Sequence, residues 1–201
     1  MARKLGKIEK PAAKQFESGR KLYFVPLIYC GVDPPADFRE IYHKYWKQVE
    51  QHISDLELKL GNVDRIYHEL IPEAGNSGCE AIKELNQESY QIIRPRLDKG
   101  ARLEMLEAIE LLTEFIDWTK CLAVGLQNQQ VFTTVYESYS QASKKRNQYI
   151  AGQIEATLKA DETAILLMQE GHQVQFPPDI QVFYVAPPAL DEIKRWLRDH
   201  K

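Results

Sequence analysis

Apolar residues recur along the chain with two different spacings, and the order in which those spacings alternate predicts the fold. Residues 21–29 are apolar, aromatic and β-branched, which predicts a first strand. Pro26 supplies no ladder donor, so this strand either lies at a sheet edge or ends near Pro26. Gly31, Asp33, Pro34 and Pro35 make a loop, with Asp37 as the expected cap of the next helix. Phe38, Ile41, Tyr42, Tyr45, Val49, Ile53, Leu56 and Leu60 then step by three and four, a long amphipathic helix that Gly61 and Asn62 stop. Its aromatic cluster of Tyr42, Tyr45 and Trp46 sits at helical spacing, as core or a helix seam does. Residues 63–71 are the second strand, and a strand–helix–strand order of this length implies parallel pairing with a right-handed crossover.

The middle of the chain reads as helical. Residues 80–92 predict a helix broken by Pro95, and Asp98 is expected to cap the next, striped with Leu103, Leu106, Ile109, Leu112, Ile116 and Leu122. Gly125 and Asn128 mark the turn into a third helix carrying Val131, Val135, Tyr139, Ala142, Tyr149, Ile150, Ile154 and Leu158. Residues 163–168 are a continuous apolar run, the signature of a strand covered on both faces. Pro177, Pro178 and Asp179 force a turn before a further strand at 180–186. Pro187 and Pro188 end it, and a last helix at 190–198 shows Leu190, Ile193, Trp196 and Leu197 on one side. The expected class is α/β: a small, mostly parallel sheet flanked by helices, with a long helical hairpin, about 80–158, inserted between the second and third strands.

Composition changes this picture little. Two hundred and one residues suffice for one domain, here 21–201, preceded by a flexible basic arm at 1–20 that carries Arg3, Lys4, Lys7, Lys10 and Lys14. Twenty-six basic against 29 acidic residues give a net charge of −3, which argues against a nucleic-acid partner even with Lys144, Lys145 and Arg146 in a row. Cys30, Cys79 and Cys121 form no CxxC pair, so zinc of the usual structural spacing is not expected. Free thiols, a polar start and no apolar run near 18 residues predict a cytoplasmic protein that does not enter a membrane.

Candidate chemistry gathers at the carboxyl ends of the strands, where ligands bind in open α/β sheets. Glu69 follows the second strand; Glu170, Gly171 and His172 follow the third. Arg146 falls on the inward stripe of its helix, four residues from both Ala142 and Ile150, and an inward arginine must find an acceptor or snorkel to the rim. Glutamate and histidine together are able to ligate a divalent metal or to serve as base and acid, and arginine beside them to anchor an anion. The candidate catalytic set is therefore Glu69, Arg146, Glu170 and His172, with His172 and Glu69 as the candidate metal ligands.

Lys145, Arg146, Asn147 and Ala151, then the run Ala164 to Met168, then Gly171 and His172, resemble the C-terminal signature of the TraB/TIKI superfamily, whose distant members include erythromycin-esterase-like and ChaN-like proteins. Arg65 to Glu69 is similar to that superfamily's second strand, which ends in glutamate. The likeness covers about half the chain and implies an α/β scaffold with a metal-dependent hydrolase site. The superfamily's first strand ends in a Gly-x-x-His motif that supplies a ligand or base; Pro26 to Gly31 contains no histidine, and Gly171 is adjacent to His172 rather than set back from it. The resulting expectation is a divergent, non-catalytic or weakly active binding module that takes a small-molecule or peptide ligand and dimerises through the helical hairpin. The alternative is a metal-dependent hydrolase using the Glu/Arg/His pocket.

Overall fold

The computed structural model describes residues 18–200. Among them five strands, β1 (Lys21–Pro26), β2 (Arg65–His68), β3 (Arg102–Leu103), β4 (Thr163–Met168) and β5 (Gln181–Tyr184), form one all-parallel sheet in the order β3-β2-β4-β1-β5. Six helices accompany them among the described residues: α1 (Ala36–Leu60), α2 (Gly75–Leu85), α3 (Gln87–Asp98), α4 (Ile109–Ala123), α5 (Gln129–Thr157) and α6 (Pro188–Asp199). The architecture is the expected α/β class.

Because strand side chains alternate, β1 and β4 each feed two separate cores. Tyr23, Val25, Ile165 and Leu167 pack with Tyr45, Trp46, Val49 and Ile53 of α1 and with residues of α2, α3 and α6. Leu22, Phe24, Ala164, Leu166 and Met168 face the other way, onto Ile150 and Ile154 of α5 and onto Val174 and Ile180. Every residue of β1 and of β4 is buried, which is why both read as unbroken apolar runs rather than as alternations.

Pro26 is accommodated by ending an interior strand, not by lying at an edge. Arg20 and Phe24 offer their carbonyls toward β5, accepting from Gln181 N and Val185 N, so even-numbered residues of β1 face that neighbour. Phe24 pairs with Tyr184, the last residue of β5, so the missing N–H of Pro26 falls beyond the end of β5. Its carbonyl accepts from the buried Tyr45 hydroxyl.

Several boundaries differ from expectation, each for a local reason. Asn86 caps α3 through its side chain to Ser89 N and splits the expected helix at 80–92 into α2 and α3. Pro95 lies inside α3 without ending it, and Asp98 is that helix's last residue rather than the cap of the next. Residues 99–108 are not helical: Arg102 and Leu103 pair with Arg65 and Ile66 as a two-residue edge strand. The expected stripe from Leu103 to Leu122 thus joins a strand to a helix that begins at Ile109. Asp37 is the second residue of α1, where it accepts from Phe38 N and Trp196 Nε1.

α4 and α5 pack on each other as a helical hairpin, shorter than the expected insertion at about 80–158, because β3 interrupts that block. Only the second half of α5 lies on the sheet; Leu112 is the one fully buried residue of α4. Residues 1–17 of the basic arm lie outside the described residues, while Arg20 pairs with Asp179 at 2.7 Å and Gly19 N donates to Asp161.

Candidate functional site

β2, β4 and the segment after β3 end at one rim, and α5 crosses above it. Arg146 sits where that helix passes over the rim, its side chain only 6% exposed. Nε donates to Glu107 Oε2 at 3.0 Å and Nη2 to Oε1, a two-pronged fork. Cζ lies 4.6 Å from the centre of the Phe115 ring, which covers the guanidinium. Glu107 is fully buried in the five residues between β3 and α4, and its Oε1 also accepts from Leu70 N at 3.1 Å. Leu70 has a φ of 65°, a left-handed turn that delivers its N–H to that carboxylate directly after β2.

Glu69 stands on the same side. Oε1 accepts from Gln169 N at 2.9 Å, tying the ends of β2 and β4 together. Oε2 lies 3.8 Å from Arg146 Nη2, within ion-pair reach and beyond a hydrogen bond. Burial pushes the Glu69 carboxyl up to about 7; Arg146 pulls it down, and Glu107 adds to the rise. One guanidinium against two buried carboxylates leaves either one net negative charge or one proton, and burial selects the proton near neutral pH.

His172 lines the same rim between the rings of Phe24 and Phe176, at 4.9 and 5.7 Å. Its Nδ1 accepts from Val174 N at 3.2 Å. Burial, and secondarily Arg146, lower its pKa and favour the neutral ring. Glu69, Arg146 and His172 border a cavity of about 280 Å³ whose other walls include Tyr136, Tyr139, Ser143, Asn147 and Gln169. Three of the four residues picked out from sequence therefore meet.

Glu170 does not join them. It turns toward β5 and α6, accepting from Tyr184 Oη and from Lys194 Nζ at 2.7 Å. Burial raises its pKa, but these two partners outweigh that and lower it. His68, on the opposite face of β2 from Glu69, points its Nδ1 at the Glu69 carbonyl (2.7 Å) and its Nε2 at the Ser89 hydroxyl (3.0 Å). Burial drives its pKa down to about 4, so it is a neutral structural histidine. A wider groove, about 670 Å³, runs along α2, α3 and β3. Among its charged residues, Arg94 is paired with Asp98 inside it and Glu104 with Arg65 outside it.

Among the described residues no three His, Cys, Asp or Glu side chains come together as a metal site. Glu69 and His172 are the two donors facing the cavity, and the guanidinium beside Glu69 opposes a dication there. The donor set thus does not fit the divalent ion expected from sequence. Nor is Arg146 the open anion anchor expected: Glu107 already compensates its charge. Lys145 stands 3.7 Å from Glu114, and with Arg146 turned inward the row at 144–146 is not a continuous surface patch. No helix among the described residues is long and apolar enough to cross a membrane.

Glu107 is the residue that sequence reasoning passed over. Its signal was indirect: an inward arginine required an acceptor, and the end of an edge strand is a place to supply one.

Comparison of the chain with protein-family models, with curated proteins and with solved structures finds no match.

Proposed function

We propose that this chain is a divergent TraB/TIKI-like binding module, non-catalytic or weakly active, that takes a small-molecule or peptide ligand in the cavity over the ends of β2 and β4. The observation that carries this reading is the Glu107–Arg146 fork. It pairs Nε and Nη2 of the guanidinium with a carboxylate inside the protein and compensates its charge, so the arginine builds the floor of the pocket instead of clamping a reacting anion. The walls are aromatic and amide-bearing, the mix that orients a ligand without chemistry. The likeness to that superfamily rests on sequence, on Arg146 and Asn147 of α5 and on the run from Ala164 to His172. Backbone NMR with a fragment library tests the reading: shifts at Asn147, Gln169, Gly171 and His172 are expected, and a library that moves none of these amides refutes it.

One observation favours the hydrolase alternative: a carboxyl raised to about 7 is suited to acid–base work. A thermal-shift screen separates the two. Stabilisation by a divalent ion that is lost in His172→Ala supports the hydrolase; indifference to every ion supports the binding module.

The hairpin is proposed as the surface of a homodimer in a cytoplasmic protein whose three cysteines are free thiols. α5 is about 43 Å long at ~1.5 Å per residue, and it packs along α4. No charged residue occurs between Lys120 and Glu137. Val124, Val131 and Phe132 are nevertheless exposed there, which a second hairpin would cover as a four-helix bundle. Sedimentation velocity is expected to show a dimer that Phe132→Glu dissociates; a monomer at every concentration removes the proposal.

A further inference from the structure

The charge count around Arg146 points to the ligand's chemistry. Glu107, Arg146 and Glu69 are each at least nine-tenths buried. The first two neutralise each other through the fork, and Glu69 is left over. One of its oxygens is held by Gln169 N; the other lies 3.8 Å from Arg146 Nη2, beyond a hydrogen bond, and Glu69 lines the cavity. A carboxylate oxygen half-partnered at the wall of a cavity is an acceptor waiting for a donor. The titratable groups facing it are Arg146 of α5, Glu107 before α4, His172 after β4 and the phenols of Tyr29, Tyr136 and Tyr139. No lysine is among them, and His172 is held neutral between two phenyl rings.

The aromatic wall fits the same partner. Tyr136 and Tyr139 lie side by side at 6.3 Å, and Tyr139 continues to Phe115 at 5.6 Å. Phe115 already receives a cation, the Arg146 guanidinium, on its face. The two tyrosines beside it line the cavity, and a tyrosine ring attracts a cation in the same way.

We infer that the cavity binds a small organic ammonium, its N–H groups donated to the free Glu69 oxygen and its carbon substituents lying against Tyr136 and Tyr139. The inference rests on the binding reading and narrows it to one class of ligand. Binding supplies a second positive charge to a site that holds two carboxylates and one guanidinium. Arg146 contributes by donating to the ligand through Nη1, which has no acceptor among the described residues, while its charge stays with Glu107. A carboxylate ligand is disfavoured, since it would add a third negative group to a single guanidinium.

The experiment compares three probes of one chain length, butylamine, 1-butanol and butyrate, by the amide shifts of Asn147, Gln169, Gly171 and His172. Butylammonium, which stays protonated throughout, is expected to bind most tightly. In Glu69→Gln the ammonium response is expected to be lost and the alcohol response kept. Tighter binding of butyrate, or equal binding of butanol and butylammonium, overturns the ammonium proposal and leaves the binding cavity standing. No response to any of the three at tens of millimolar overturns both.

Discussion

Replacing Glu107 by alanine is the sharpest perturbation of the site. It deletes both acceptors of the Arg146 fork and the acceptor of Leu70 N, and leaves a guanidinium 6% exposed without its partner. Removing one member of a buried ion pair costs about 3–5 kcal/mol. Glu69 is close enough, at 3.8 Å, to ionise and take over part of the pairing, which brings the expected loss to about 3 kcal/mol. For a chain of this size that corresponds to a fall in Tm of about 6–12 °C. Urea denaturation followed by far-UV circular dichroism measures it, with an unchanged m-value as the check that the two end states are the same. The companion variant carries Glu107→Leu together with Arg146→Met. Apolar groups of similar volume then replace both charges, and stability is expected to return to within about 1 kcal/mol of the parent. A cost below about 0.5 kcal/mol for Glu107→Ala, or a double variant as unstable as the sum of its two single changes, refutes the pairing as the source of that stability.

Titration of the two groups at the end of β2 gives opposite slopes. Glu69 keeps in the folded state a proton that the unfolded chain releases, so its contribution to stability is present below pH 4.5 and is lost as pH rises toward 7. His68 is held neutral down to about pH 4, so its contribution is present above pH 6.5 and is lost as pH falls through 4. Each is worth about 3 kcal/mol across its window. Relative to the parent, Glu69→Gln should gain stability from pH 4.5 to 7 and His68→Asn should lose it from pH 4 to 6.5; urea curves parallel to the parent's contradict the assignment. Gly78→Ala puts a methyl 2.5 Å from the Glu73 carbonyl oxygen and 2.8 Å from Leu103 Cδ2, where α2 meets the edge strand, and is expected to cost about 1–3 kcal/mol; a neutral effect shows that contact to be looser. Tyr45→Phe removes the hydroxyl that caps the Pro26 carbonyl and should cost about 1 kcal/mol in the same assay, with no loss indicating that water replaces it.

The fold was legible wherever one pattern filled a whole element. α1 shows eight apolar positions at helical spacing, and β4 is apolar throughout because both of its faces are covered. What escaped were elements too short to show a period. β3 has two residues, and Leu103, Leu106 and Ile109 happen to sit three apart, so the chain around it imitates a helix although the hydrogen bonds of Arg102 and Glu104 run to Asp64 and Ile66. Asn86 was hidden differently. A cap in the middle of a polar stretch leaves no mark on the apolar stripe, and only its hydrogen bond to Ser89 reveals the break.

The site was legible to the degree that its residues sit on those long elements. Arg146 was found because an arginine interrupts an apolar stripe, and Glu69 and His172 because each follows a strand. Glu170 follows the same strand as His172 and failed, because position at a rim does not say which way a side chain turns. Lys194 of α6 and Tyr184 of β5 decide that, and neither is near Glu170 in sequence. Glu107 shows the converse. Its importance comes from Arg146, 39 residues later, and from a left-handed Leu70, 37 residues earlier. No local pattern encodes such a pairing. It emerges only from asking where a buried cation finds its counter-charge, and once Glu107 answers that question for Arg146, the same question remains open for Glu69.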